Sequence, residues 1–188
     1  MKRLIFLLLF VSSVSFGQVV QNFSLTNVTD GKVISLDDYS SYAGVVIIFT
    51  SNNCPYDGYY LNRIKTLAQT YQSKLPLLLI NAHTDDNESV DYMKNYAEQC
   101  KLPMPYLADK EQKVLANLSA KKSPECFLLQ QTGGKFKVVY RGAIDDNAQS
   151  ANDVDHFYLK DAMEKLLAKQ KIEVPDVRPV GCSIRKNN

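Results

Sequence analysis

The 188-residue sequence carries no surplus of charge beyond its first residues: Lys2 and Arg3 account for the formal net charge of +2, and the other basic and acidic side chains balance. A surface so balanced offers no electrostatic basis for binding nucleic acid or an anionic membrane. There is no G-x-x-x-x-G-K segment, which removes the case for a phosphate-cradling loop. Histidine is scarce: His83 and His156 are the only two, so a histidine-based metal centre lacks its ligand set. The pairs Asp85-Asp86 and Asp145-Asp146 lack the alternating oxygen spacing of a calcium loop, and turn formation or helix capping is their expected role. No cofactor and no metal is expected. Internal repeats and low-complexity linkers are also missing.

What is present begins with a basic pair and a short apolar run. Lys2 and Arg3 precede apolar residues 4–11, and the small residues Ser15 and Gly17 follow, the grammar of a cleavable secretory signal over residues 1–17. The run is too short to span a bilayer, and no cysteine follows it to carry a lipid. An uncleaved anchor shares the same grammar; cleavage is the simpler expectation. The mature chain, residues 18–188, is then one exported domain, periplasmic or extracellular, with no stable membrane insertion and enough length for a real core. Cys54, Cys100, Cys126 and Cys182 all lie beyond the signal, in a compartment where disulfides persist. Four cysteines allow three complete pairings, and the sequence does not choose among them.

Residues 23–28 and 32–36 read as short strands about the Asp30-Gly31 turn, a hairpin. Residues 44–50 form an apolar run without alternation, as in a parallel strand covered on both faces. Tyr60, Ile64, Leu67 and Tyr71 then recur at helical spacing, and residues 77–80 after Pro76 give a second buried strand. A helix over 90–99, an extended piece at 104–107 and a helical turn or two at 112–118 come next. Residues 126–129 and 136–140 flank Gly133-Gly134 as an antiparallel hairpin, and Leu159, Met163, Leu166 and Leu167 put one apolar face on a closing helix. The tail from Ile172, with Pro175 and Pro179, is expected to run extended along the surface. Strand, helix and strand followed by a hairpin and a final helix describe an α/β fold: a mixed sheet with helices on both faces. The parallel strands end at one sheet edge, where such folds place their chemistry, and Cys54 sits on a loop there.

A cysteine at a helix N-terminus has its thiolate stabilised by unpaired backbone N–H groups and the helix dipole. Pro55 suits the first helical turn, where its missing N–H costs nothing. Four segments, Phe49-Thr50-Ser51-Asn52-Asn53-Cys54-Pro55-Tyr56, Ser123-Pro124-Glu125-Cys126-Phe127, Tyr140-Arg141-Gly142-Ala143-Ile144-Asp145-Asp146 and Gly181-Cys182-Ser183-Ile184, stand in an order that resembles the peroxiredoxin-like (AhpC/TSA, redoxin) branch of the thioredoxin superfamily. The resemblance covers nearly all of residues 18–188 and implies a thioredoxin-like three-layer sandwich with an N-terminal β-hairpin. It places Pro124 at the position of a cis proline facing the reactive cysteine, with Ser123 offering backbone groups to an extended thiol substrate.

The sequence departs from the family it resembles at one telling place. Where its members carry C-x-x-C at the strand-to-helix turn, this chain has Ser51-x-x-Cys54, so a dithiol cycle within that motif is impossible. The remaining pattern is similar to the Thr/Ser-x-x-Cys of peroxiredoxins, in which the cysteine passes through a sulfenic acid that a second thiol resolves. On that similarity Ser51 is the candidate hydrogen-bond donor to the thiolate, Arg141 the activating charge and Cys182 the resolving thiol. The proline that precedes a peroxidatic cysteine in that branch is absent, since Ile47 and its neighbours occupy that stretch.

Cys126, in an apolar strand, is expected in the core. Cys100 carries no assignment. His83 falls at the same sheet edge as Cys54 and is expected as an exposed loop side chain more than as a proton donor or ligand; His156 is expected in solvent. The expected function is a thiol-dependent oxidoreductase with one active-site cysteine, acting on thiol or disulfide protein substrates or on peroxide with an external thiol donor. A monothiol isomerase stands beside it. The rival class is a redox-inactive binding or chaperone module, and Ser51 is the feature that favours it.

Overall fold

The structure is a computed structural model that describes residues 17–187, so the expected signal segment, apart from Gly17, lies outside the described residues. The elements are β1 (Val19–Val20), β2 (Ser24–Asn27), β3 (Val33–Ser35), β4 (Gly44–Phe49), α1 (Pro55–Tyr71), β5 (Leu77–Asn81), α2 (Val90–Cys100), β6 (Tyr106–Ala108), α3 (Lys113–Leu118), β7 (Lys122–Ser123), β8 (Glu125–Thr132), β9 (Lys135–Gly142), α4 (Tyr158–Leu167), β10 (Asp176–Val177) and β11 (Cys182–Ser183).

The apolar run of β4 makes it the centre of the sheet, with all six residues buried. It pairs in parallel with β5, and β5 in parallel with β6, while β8 lies antiparallel on its other side. The full order is β1-β9-β8-β4-β5-β6-β2-β3, and β10 adds in parallel to β9. Because side chains alternate along a strand, β4 feeds two cores. Val46 and Ile48 pack with Tyr60, Ile64 and Ala68 of α1 and with Leu159 and Met163 of α4. Val45, Ile47 and Phe49 pack with Leu115 and Leu118 of α3. Each fully buried apolar side chain of this size contributes about 1.5–3 kcal/mol, so β4 is fixed from both faces and its C-terminal end is a rigid platform.

Helix α1 starts one residue beyond Cys54 because Pro55 holds the first helical position, and the backbone N–H of Asp57 donates to the Cys54 carbonyl at 3.1 Å. Its buried stripe, Asp57, Tyr60, Ile64, Ala68 and Tyr71, repeats at helical spacing.

The tail is more structured than a surface strand at large. Gly142 (φ +122°) lets β10 approach so closely that a Cβ there would lie 1.7 Å from the Val177 carbonyl oxygen. The chain then crosses to pair β11 antiparallel with β7, Cys182 opposite Ser123 and Ser183 opposite Lys122. Ile184 is buried in the core on the α3 side, and Gln112 clamps the end, donating to the Arg185 carbonyl at 2.7 Å and accepting from the Asn187 N–H at 2.7 Å. Among the described residues no helix is long and apolar enough to cross a membrane.

Candidate active site

Cys54 occupies the N-cap position of α1, where β4 delivers it to the sheet edge, and only 5% of the residue is exposed. Its sulfur is bonded to that of Cys182, 128 residues further along the chain. The Cys54 Sγ also lies 3.2 Å from the Ser123 carbonyl oxygen, and the Ser123-Pro124 peptide bond beside it is cis. Ser123 is fully buried and shares a 3.0 Å hydrogen bond between its Oγ and His83 Nε2. The tail therefore lies along Ser123, where an extended polypeptide was expected to add, with its own cysteine over Cys54.

Beneath the loop before Cys54 sits a buried carboxylate. Glu88 accepts from Ser51 Oγ, from the Asn52 and Asn53 N–H groups at 3.1 and 3.2 Å, and from the Asn53 and Asn81 side-chain amides at 3.1 and 2.7 Å. Burial pushes its pKa up, yet the donors from Ser51, Asn81 and Asn52 outweigh that penalty and the carboxyl sits below its ordinary value. The Asn81 amide also donates to Tyr106 Oη at 2.8 Å, and the Tyr106 hydroxyl donates to Asn52 Oδ1 at 2.8 Å. Lys110 Nζ donates to Asn81 Oδ1 at 3.0 Å and to the His83 carbonyl at 2.8 Å; burial lowers its pKa to about 8 against the pull of Glu88 and Asp109. Asp57 accepts from Thr50 Oγ1 at 2.7 Å, and burial pushes its carboxyl up to about 8.

The expected site residues divide cleanly. Cys54, Cys182 and Pro124 are brought together. Ser51 is adjacent, but its hydroxyl donates to Glu88 and accepts from the Asn53 N–H at 3.0 Å, so it anchors the loop instead of reaching for the sulfur. Arg141 is not brought to Cys54. It is exposed on β9, its Nε 2.7 Å from Asp176 Oδ2, and lines a separate depression with Lys121, Lys122 and Arg178. Arg185, 3.7 Å from Asp85, is the basic residue among those lining a polar depression of about 300 Å³ that Ser51, Cys54, His83, Glu88 and Cys182 also line.

His83 departs from its expected exposure. It is buried against Ser123, and desolvation lowers its pKa although Glu88 and Asp85 oppose the shift. Cys126 is in the core as expected, its thiol donating to the Gly142 carbonyl at 3.0 Å and pushed well above its usual pKa by burial. Cys100 is a free, half-buried thiol at the end of α2. His156 is exposed and stacks on Tyr158. Asp145 is no simple turn residue: it is buried against Arg63 and Tyr60 Oη, at 2.6 and 3.0 Å. Among the described residues no group of three or more His, Cys, Asp or Glu side chains converges as a metal site.

Sequence reasoning missed Asp57 and Glu88. For Asp57 a signal existed: a carboxylate at i−3 and i−7 of Tyr60 and Ile64 sits on the apolar stripe of α1. Glu88 lay in a polar loop with nothing local to mark it.

A parallel β-α-β unit with a cysteine at the helix N-terminus, faced by a cis X-Pro bond that opens an antiparallel hairpin, defines the thioredoxin-like class of α/β fold. Within that class the chain belongs to the AhpC/TSA family, matched over residues 16–142, a family of thiol-dependent oxidoreductases. The matched stretch stops short of the tail that carries Cys182. No curated protein matches the chain. Among solved structures, an uncharacterized conserved protein from Geobacillus kaustophilus is 30% identical, with 92% of each chain covered and a TM-score of 0.82. Peroxidoxin BcpB from Mycobacterium tuberculosis shares the fold at 19% identity, covering 83% of this chain and 98% of that one with a TM-score of 0.61. The exposed lipoprotein thioredoxin Etrx1 from Streptococcus pneumoniae does so at 20% identity, covering 77% and 99% with a TM-score of 0.61.

Proposed function

We propose that the protein is an exported thiol–disulfide oxidoreductase whose redox couple is Cys54 and Cys182, cycling between the disulfide and the dithiol. The observation that carries this is the bond from the helix N-terminal cysteine to a tail cysteine, held opposite Ser123 by β7–β11 pairing. The Cys54–Cys182 bond supports a two-cysteine couple, with Cys182 the candidate second thiol. Cys182 supplies the second sulfur that Ser51 removes from the loop motif. Disulfide exchange is favoured over peroxide reduction, since the Ser51 hydroxyl is committed to Glu88 and Arg141 to Asp176. Thiol or disulfide substrates follow from that chemistry. Export is supported by the basic-then-apolar start of the chain and by the fold shared with an exposed lipoprotein thioredoxin.

Turnover of a fluorescent glutathione disulfide with dithiothreitol as electron donor tests the proposal. Cys54→Ser and Cys182→Ser are each expected to lose turnover by about 100-fold, because neither variant can regenerate the couple. Full activity in either one contradicts the proposal, and a wild-type protein with no turnover points to the binding-module alternative, in which the disulfide only staples the tail.

A further inference from the structure

We propose that Cys182, not Cys54, is the thiol that exchanges with an outside partner, and that Cys54 is the inner sulfur that closes the cycle. This rests on the Cys54–Cys182 couple above and reverses the roles the sequence suggested for the two residues.

Access is the first ground. Cys54 is 5% exposed and wedged against the Ser123 carbonyl, whereas Cys182 is half-buried on β11 and followed by the exposed Ser183. The second is the leaving group, because the thiol of lower pKa leaves faster. Cys54 is the N-cap residue of a 17-residue helix, whose dipole favours a departing thiolate, while Cys182 lies on a two-residue strand with no helix terminus. Finally, the loop offers no competing thiol, since Ser51 holds the position of an outer cysteine and is tied to Glu88.

The exchange balances in both directions. In the dithiol form, the Cys182 thiolate attacks a partner disulfide R–S–S–R, giving a Cys182–S–S–R mixed disulfide and releasing one RS⁻, which takes up a proton. The Cys54 thiolate then attacks Cys182 Sγ, expels the second RS⁻ and forms the Cys54–Cys182 bond, so that two electrons reach the partner. In reverse, a reducing thiolate RS⁻ attacks Cys182 Sγ and Cys54 departs as a thiolate that takes up a proton; a second RS⁻ then attacks the outer sulfur of Cys182–S–S–R, releasing R–S–S–R and the Cys182 thiolate.

The test uses the full chain, reduced, with oxidised glutathione as probe and peptide mapping by mass spectrometry to separate Cys100 and Cys126 from the two sulfurs of interest. Cys182 in Cys54→Ser is expected to form its glutathione adduct faster than Cys54 in Cys182→Ser by about tenfold or more, as a half-exposed thiol against a buried one. In oxidised wild type treated with reduced glutathione and quenched early, the adduct is expected on Cys182. An adduct found on Cys54, or a faster Cys54 in the variants, overturns the assignment while leaving the couple intact. A wild-type disulfide that dithiothreitol does not open overturns both the assignment and the proposed function.

Discussion

Asp57 lies in the first turn of α1, 2% exposed, with Oδ1 bonded to Thr50. Burial raises its pKa to about 8, partly opposed by Thr50, the Ser51 backbone and Ser123, with Glu88 pushing the same way as burial. In the unfolded chain the group titrates near 3.9. Between those values the folded protein holds a proton that the unfolded chain has released. The associated stability is therefore complete below about pH 4 and is lost as pH rises through about 8, at about 1.4 kcal/mol per pH unit, or on the order of 4 kcal/mol by pH 7. Glu88 contributes with the opposite sign, since its lowered pKa makes it stabilising above the unfolded value, so the Asp57 effect must be read as a difference. Asp57→Asn keeps an acceptor for Thr50 and removes the titration. Urea unfolding of the oxidised wild type and variant at pH 5, 6 and 7 is expected to show the variant gaining on the wild type by about 1 kcal/mol per pH unit. A difference that stays constant over that range refutes the assignment of a protonated buried carboxyl.

Gly181→Ala puts a Cβ 2.3 Å from the Ser123 carbonyl oxygen, so β11 must lift; the couple is expected to shift toward the dithiol, raising its midpoint by about 30 mV or more in a glutathione titration. Arg63→Met strands Asp145 without the guanidinium at 2.6 Å. The expected cost is about 3–5 kcal/mol in chemical denaturation. Glu88→Gln loses charge-assisted bonds to Ser51, Asn52 and Asn53 and turns one acceptor into a donor facing donors; about 1–3 kcal/mol of stability is expected to go, with faster hydrogen exchange at the Asn52 and Asn53 amides.

The parts of the fold legible in the sequence are those whose signal is local. The apolar run of β4, the helical spacing of Tyr60, Ile64 and Tyr71, and the Gly133-Gly134 turn between β8 and β9 each lie within a dozen residues or so and decide their own structure. The two-residue strands β1, β10 and β11 have no period to read, because their pairing is set by the strands they meet. For the same reason the Cys54–Cys182 bond, closing a separation of 128 residues, was one pairing among several until β11 fixed it opposite Ser123. His83 looked like a loop residue because burial there comes from Ser123 and the tail, both distant in sequence. Arg141 was misplaced because a basic residue near a motif carries no information about its strand's facing; on β9 it meets Asp176 of β10. Glu88 shows the same limit, a carboxylate whose partners at Ser51, Asn52 and Asn53 are assembled only by the fold.

The most direct test of the central claim is a redox titration of the purified protein in glutathione and dithiothreitol buffers, with the Cys54 and Cys182 thiols counted by alkylation and mass spectrometry. A working couple is expected to reach its midpoint between about −270 and −120 mV, the span of thiol–disulfide oxidoreductases, whereas a disulfide that stays closed below about −300 mV behaves as a structural staple and contradicts the account.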